Sequence, residues 1–168
     1  MTRLAVDTGA GLLTSPAGTV PCTIGRGGAC AASDKREGDG CTPLGWWPIR
    51  GALFRPGRAV PPPGLALPWR WIAREDGWSD DPADPAYNRA VRHPHGFSAE
   101  RLWREDGAYD IVLVLGYNDR PALAGRGSAI FLHLTNGSPA TEGCVAIADR
   151  NMRQLLTTLR PGDGIICR

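Results

Sequence analysis

The last third of the chain constrains the fold most. Three short apolar runs, YDIVLVLGY, AIFLHL and CVAI, occupy positions 109–117, 129–134 and 144–147. The first is continuous enough to be a buried central strand. The other two read as a second strand and a short third one. Asp149 then reads as a helix N-cap, because Met152, Leu155, Leu156 and Leu159 recur at i, i+3, i+4 and i+7 on one helical face. Pro161-Gly162 stops that helix, and GIIC (164–167) closes the chain as a strand.

Upstream, punctuation outweighs periodicity. RLAVDTGAGLL alternates around a glycine-containing turn and reads as a β-hairpin, with TVPCTIG as the next strand. GRGGACAASDKREGDGCTPLGWW reads as a glycine-rich charged loop. IRGALF is a short strand, RPGRAVPPPGLALP is too rich in proline for a central strand or helix, and WRWIARED is strand-like. Positions 77–105 are polar, hold two Asp-Pro steps and predict little regular structure; a loop of that length in a small domain is usually a functional segment or a lid. With 22 glycines and 15 prolines, much of the chain is turns and long ordered loops. A length of 168 residues, 42% of them hydrophobic, predicts one mainly β domain spanning 1–168 with one helix.

The formal net charge of +2 offers neither a basic field for nucleic acid nor an acidic one. No run of 18 apolar residues is present to span a membrane. The N-terminal stretch MTRLAVDTGAGLL lacks the apolar segment of an export signal, which reads as a cytoplasmic chain or one whose signal has been removed.

The cysteines fall at 22, 30, 41, 144 and 167, with no metal-binding spacing, so no structural metal is expected. In an oxidising compartment Cys22, Cys30, Cys41 and Cys167 could pair and leave Cys144 free. In a reducing one all five would be thiols. Both readings stand.

His133 ends the AIFLHL strand, pointing with Phe131 to the face opposite Ile130 and Leu132. Alone, it is a core histidine, and Cys144 alone is a small buried hydrophobe. Together they suggest more. Cys144 follows Gly143 and opens an apolar strand, a junction where backbone N–H groups can approach an oxyanion. An imidazole nearby can take the proton of a thiol. The ten residues between the two strands, with Asn-Gly and Ser-Pro turns, predict an antiparallel pair.

These stretches resemble the YkuD family of L,D-transpeptidases. His133 and TEGCV (141–145) resemble its strand-borne histidine and Ser/Thr-x-Gly-Cys motif. DGCTPLG (39–45) is similar to its Asp-Gly-x-Thr-Pro-x-Gly segment, and GRGSAIFLH (125–133) to the approach to its histidine. The resemblance covers roughly Leu4 to Ile166. Two positions depart from the commonest motif, Ser-His-Gly-Cys-x-Arg: Glu142 stands in place of the histidine and Ala146 in place of the arginine. The pattern is more similar to a divergent branch that forms 1–3 cross-links between L-Ala and diaminopimelate.

The resemblance implies a mainly β YkuD-type catalytic domain of mixed sheets, with one helix and long ordered loops. It implies a cysteine L,D-transpeptidase joining donor and acceptor peptidoglycan stem peptides in the periplasm or cell envelope, with no metal or organic cofactor. Carbapenem-type β-lactams become expected covalent inhibitors. Cys144 would be the nucleophile and His133 the base, Leu134 would orient the imidazole through its carbonyl, and the N–H groups of Gly143 and Cys144 would hold the oxyanion. An L,D-carboxypeptidase with water as acceptor is the nearest rival, and a non-catalytic peptidoglycan-binding module is a rival of another class.

The remaining candidates divide evenly or lean to structure. Thr141 belongs to the cysteine motif. Trp46 and Trp47 could stack on a glycan or line a peptide groove, or pack in the core. Arg126 could replace the missing arginine as a carboxylate ligand, or be a solvated loop charge. Tyr117 and Asn118 follow the central strand and could line a cleft. Lys35, Arg36 and Glu37 could flank a zwitterionic substrate such as diaminopimelate, with a solvated loop the safer reading. His93 and His95 could suggest a metal, but no carboxylate or cysteine stands at ligand spacing, so they read as a surface loop.

Overall fold

Residues Thr42–Phe54 form one 13-residue strand, and the main sheet is assembled around it. A computed structural model describes residues 3–168; Met1 and Thr2 lie outside the described residues. In chain order the strands are β1 (Arg3–Asp7), β2 (Leu12–Ser15), β3 (Gly18–Pro21), β4 (Ala29–Ala31), β5 (Thr42–Phe54), β6 (Trp69–Trp71), β7 (Asp76–Ser79), β8 (Ala90–Arg92), β9 (Ala99–Arg101), β10 (Ile111–Leu115), β11 (Phe131–Leu134), β12 (Val145–Ile147) and β13 (Gly164–Cys167). The helix α1 (Asp149–Leu156) falls between the last two.

The larger sheet has the order β12-β11-β10-β5-β13-β1-β2-β3, with β4 and β6 also paired to β5. The first half of β5 pairs with β13 and β4, and its second half with β10 and β6. Pro43 and Pro48 lie within β5, where the missing N–H of each is tolerated because the ladders change partner along the strand. The glycine-rich loop is therefore shorter than the sequence suggests: it yields β4 and stops at Thr42, where β5 begins.

The β10-β11 region is covered on both faces, which explains the uninterrupted apolar run. Ile111, Leu113 and Leu115 join Ile130, Leu132 and Leu134 in the larger core, with Phe54, Leu4 and the helix residues Met152, Leu155 and Leu156. On the other face, Val112 and Phe131 pack with Leu53, Tyr109, Leu102 and Cys144. Full burial of a side chain such as Leu113, with no exposed area, is worth roughly 1.5–3 kcal/mol.

The segment 77–105 is not an irregular loop. Its strands form a separate three-stranded antiparallel sheet in the order β8-β7-β9. The strands are only three or four residues long, too short for their alternation to show in sequence. Trp78 of β7 meets the Phe131 ring edge-on at 5.2 Å, so the small sheet packs on the second face of the main one.

Two further expectations are corrected. β11 and β12 are parallel, with Leu132 opposite Val145 and His133 opposite Ala146. The connection does not turn back as a hairpin, because Thr23–Arg26 braces it: Thr141 N–H donates to Ile24 O (2.9 Å), Arg26 N–H to Thr141 O (2.8 Å), and Thr23 and Ala146 exchange two bonds of 2.9 Å. At the helix start, Ala148 occupies the N-cap position without a side-chain cap, and Asp149 is the first helical residue. Its carboxylate meets Arg153 at 2.8 Å, an i,i+4 pair, rather than the helix N–H groups. No helix among the described residues is long and apolar enough to cross a membrane.

Candidate active site

β11 delivers His133 to a cavity of about 440 Å³, and the turn before β12 delivers Cys144 to the same cavity. Both are nearly covered, at 8% and 7% exposure. Strand alternation places His133 on the face opposite Leu132 and Leu134, as the sequence predicts. His133 Nδ1 lies 2.8 Å from the carbonyl oxygen of Leu134. A carbonyl only accepts, so Nδ1 carries the proton and the lone pair of the neutral ring is on Nε2. The ring also stacks edge-on against Tyr109, centroids 5.1 Å apart.

Cys144 is held by backbone. Its thiol donates to Ala129 O at 3.1 Å, and Phe131 N–H donates to Sγ at 3.3 Å. Thr141 fixes the turn: its hydroxyl donates to Cys144 O (2.6 Å) and accepts from Gly143 N–H (3.1 Å). The Gly143 N–H thus already has an acceptor, whereas the Cys144 N–H makes no hydrogen bond among the described residues. Gly143 is required by space as well as conformation. Its φ is 130°, and a Cβ there would stand 2.9 Å from Cys41 O. Buried Thr42 completes the brace, donating to Gly143 O (2.9 Å) and accepting from Gly25 N–H (2.9 Å).

Both side chains are held towards their neutral forms in this setting. Burial, reinforced by Glu100, pushes the Cys144 thiol up to about 12. Burial likewise holds the His133 imidazole below its ordinary value of 6.5, against the opposing pull of the Leu134 carbonyl.

The other wall of the cavity comes, Ser128 apart, from residues outside the motifs. Asp80 reaches in from the β7–β8 connection, Glu100 from β9 and Arg104 from the loop after it, and Glu37, Ser128 and Tyr109 line the same space. Tyr109 OH donates to Glu100 Oε1 at 2.5 Å. Burial raises the Glu100 carboxyl above the usual carboxylate range. Arg104 lies over the Tyr109 ring, 4.9 Å from its centroid, and pairs with Asp106. Nothing in the 77–105 sequence distinguishes these side chains from solvated ones; only its length signalled a lid.

Of the expected binding residues, Thr141 alone lines the cavity. Arg126 donates instead to Ser33 O at 2.6 Å. Tyr117 is buried, stacks edge-on with Trp47 at 4.8 Å and donates to Arg126 O. Asn118 bridges Leu123 and Gly127 within its own loop. Trp47 N–H donates to Pro43 O, while Trp46 is 42% exposed beside Gly164. All five lie outside the lining of the Cys144 cavity, and Arg126, Tyr117, Asn118 and Trp47 bond to the loops and strands around β5 and β10.

Glu142 lines the cavity mouth and pairs with Arg26 at 2.8 Å, both largely exposed. Ala146 lies in the cavity floor at 2% exposure, so the motif arginine has no counterpart there. Lys35 is not a solvated loop residue. It is 2% exposed and ion-paired with Asp39, whose carboxylate also accepts from Arg36 and Cys41 N–H groups. His95 Nε2 meets the buried Asp84 at 2.6 Å, which anchors the small sheet's loop.

The cysteines follow neither of the two expected patterns. Cys30 and Cys41 form a disulfide, while Cys22 and Cys167 remain free along with Cys144. The parallel pairing of β4 and β5 brings the bonded pair to a Cα separation of 6.0 Å, within the range a disulfide spans. Cys30, Asp39 and Cys41 do bring ligand-type atoms within 4.8 Å of one another. The disulfide uses both sulfurs, which leaves that group without thiolates for a metal.

The sequence matches the family model of the YkuD L,D-transpeptidase catalytic domain over residues 2–167. The chain belongs to this family. No curated protein matches it. Among solved structures this YkuD domain is similar to the helical cell shape determining protein Pgp2 from Campylobacter jejuni, at 13% identity and a TM-score of 0.53, over 99% of this chain and 47% of that one. It is also similar to L,D-transpeptidase 1 from Mycobacterium tuberculosis, at 13% identity and a TM-score of 0.48, over 99% of this chain and 58% of that one. The YkuD domain described here thus spans about half the length of these structures.

Proposed function

We propose that this YkuD domain is a cysteine L,D-transpeptidase acting on peptidoglycan stem peptides, with Cys144 as nucleophile and His133 as general base. The observation that carries the reading is the imidazole pinned through Nδ1 to Leu134 O, in the cavity that also holds Cys144.

The neutral resting pair dictates how the reaction starts. As Cys144 Sγ attacks the carbonyl carbon of the donor's L-centre, His133 Nε2 takes the thiol proton, so no free thiolate is needed beforehand. The oxyanion takes the unpartnered Cys144 N–H. Gly143 N–H joins only if Thr141 gives it up. One such donor is worth about 3 kcal/mol in other enzymes. The imidazolium then protonates the departing amine, leaving a thioester. An acceptor amine attacks the thioester, His133 takes its proton, and the thiol is restored as the new amide forms.

The substrate carboxylate cannot be gripped from position 146. Arg104 is the arginine that lines the cavity, and it takes that role here in place of Arg126. A site without the motif arginine fits a 1–3 cross-link between L-Ala and diaminopimelate. The Cys30–Cys41 disulfide supports a periplasmic or envelope location, where such bonds persist.

The test is incubation of sacculi with wild type and Cys144→Ala, followed by digestion and mass analysis of the muropeptides. New cross-linked dimers with wild type alone support transpeptidation, and their fragmentation gives the linkage. Shortened monomers alone would make the domain a carboxypeptidase. No change with either protein would leave a binding module.

A further inference from the structure

Ala129 supplies the acceptor for the Cys144 thiol, and it does so from an unusual backbone conformation. Its φ is 52°, in the left-handed region that L-residues with a Cβ rarely adopt. Ala129 is also buried, at 8% exposure. Something outside the residue must hold it there.

That group is Asn88, which stands between β7 and β8 in the small sheet's connection and is 3% exposed. Asn88 Oδ1 accepts Ala129 N–H at 3.1 Å and Trp78 Nε1–H at 2.8 Å. Asn88 Nδ2 donates to Tyr117 O at 3.0 Å and Asn118 O at 2.7 Å. The amide therefore uses both its donors and both acceptor sites, which also fixes its orientation. Asn88 has φ 55° itself, a conformation that asparagine accepts more readily than most residues. A saturated, buried amide joins three segments, and one of them ends on the candidate nucleophile.

We infer that Asn88 is a positioning residue for Cys144, acting through the Ala129 peptide. With the Ala129 N–H fixed, the carbonyl of the same residue is aimed at Sγ, so the sulfur carries its proton towards Ala129 O and receives Phe131 N–H from the other side. The two bonds hold the sulfur in one place. The one to Ala129 O favours the thiol, because a bond donated by S–H exists only in the protonated form, whereas the Phe131 N–H pulls the other way. The small sheet thereby controls the nucleophile as well as walling the cavity. The inference rests on the proposal that Cys144 is the nucleophile.

The charged and titratable groups around the same thiol are Glu100 of β9, Arg104 beyond it, Lys35 of the bridged loop, Tyr109 and His133, with Glu37, Asp80 and Glu142 lining the same cavity. None of them shares a hydrogen bond with Asn88, so replacing Asn88 leaves their contacts in place.

The test is the pH profile of Cys144 alkylation by iodoacetamide, followed by peptide mapping so that Cys22 and Cys167 are read separately, in wild type and Asn88→Gly. Glycine keeps the left-handed backbone at position 88 without strain and removes only the side chain. The expected result is a profile moved to lower pH by about one unit. A turnover loss of about tenfold or more, with KM little changed, should accompany it, as misplacement of a reacting group produces. Coincident alkylation profiles in two folded proteins would overturn the inference and reduce Asn88 to a structural clamp. If Asn88→Gly fails to fold, the wild type still decides: amide exchange at Ala129 as slow as in the β11 core supports the clamp, and exchange at the rate of an open loop overturns it. Alkylation needs no peptide substrate. A shifted profile without cross-linking activity therefore refutes the proposed reaction alone, and an unshifted profile in an active enzyme refutes the Asn88 role alone.

Discussion

His133 and Leu134 are joined by a bond between neighbours: the imidazole Nδ1–H donates back to the carbonyl of the next residue at 2.8 Å. The strand that carries the proposed base therefore also sets its tautomer. No carboxylate is needed as orienter, and Nε2 is left as the site that can accept a proton.

The protonation states set a pH profile with one rising limb. Burial depresses the His133 pKa below 6.5, so the neutral base is present at neutral pH and is lost only in acid. Burial raises Cys144 from 9.0 to about 12, so the thiol persists through mildly alkaline pH. The expected kcat/KM rises below pH 6.5 and then stays level past pH 9. A bell centred near neutrality would indicate a preformed thiolate–imidazolium pair instead.

The same shifts bear on stability, with the sign fixed by linkage. His133 has a lowered folded pKa, so the unfolded chain binds more protons and stability falls as pH drops below 6.5. Cys144 has a raised folded pKa, so its contribution is complete below 9.0 and is lost as pH rises towards 12. Denaturant midpoints measured across pH should fall at both ends, and Cys144→Ala should remove the alkaline part due to this thiol.

Thr42 links Gly25 to Gly143 while only 1% exposed. Thr42→Val keeps the shape and orphans a buried N–H and a buried carbonyl. The expected cost is about 2 kcal/mol or more, read as a lower midpoint in urea. Turnover should fall further than stability accounts for, since the Gly143 peptide is freed. An unchanged midpoint would show that the brace contributes nothing.

Glu142 and Arg26 make the opposite case. Their side chains are 77% and 53% exposed, so Glu142→His, which restores the commoner family residue, should change stability by no more than about 0.5 kcal/mol. The informative readout is the cross-link or product distribution. If it stays the same, the departure at 142 does not set specificity.

The Cys30–Cys41 bond closes a loop with a sequence separation of 11, and that loop carries Glu37 to the cavity wall. Removing it with a Cys30→Ser, Cys41→Ser pair should cost roughly 2–4 kcal/mol, chiefly by freeing the unfolded chain. Thermal denaturation with and without reductant checks this. A wild-type midpoint insensitive to reductant would contradict it.

Local pattern carried the sequence reading where partners are local. The alternation of Ile130, Phe131, Leu132 and His133 fixed which face His133 takes. The spacing of Met152, Leu155 and Leu156 fixed the buried face of the helix, although the helix ends at Leu156 and does not reach Leu159 or Pro161. The reading failed where distant segments decide. The parallel course of β12 depends on Thr23–Arg26, more than a hundred residues earlier. Arg126 stands near His133 in sequence, yet its guanidinium finds Ser33 O. Glu100, Arg104 and Asn88 reach the site through a small sheet whose strands are too short to show a period. Lys35 looked solvated because nothing local announces its burial beside Asp39.

The most direct measurement is intact mass after acid quench of the enzyme mixed with a peptidoglycan stem-peptide donor. The expected result is a covalent acyl adduct that maps to Cys144 in wild type and is absent from Cys144→Ala, together with all turnover. Turnover retained by Cys144→Ala, or an adduct on any other residue, would contradict it.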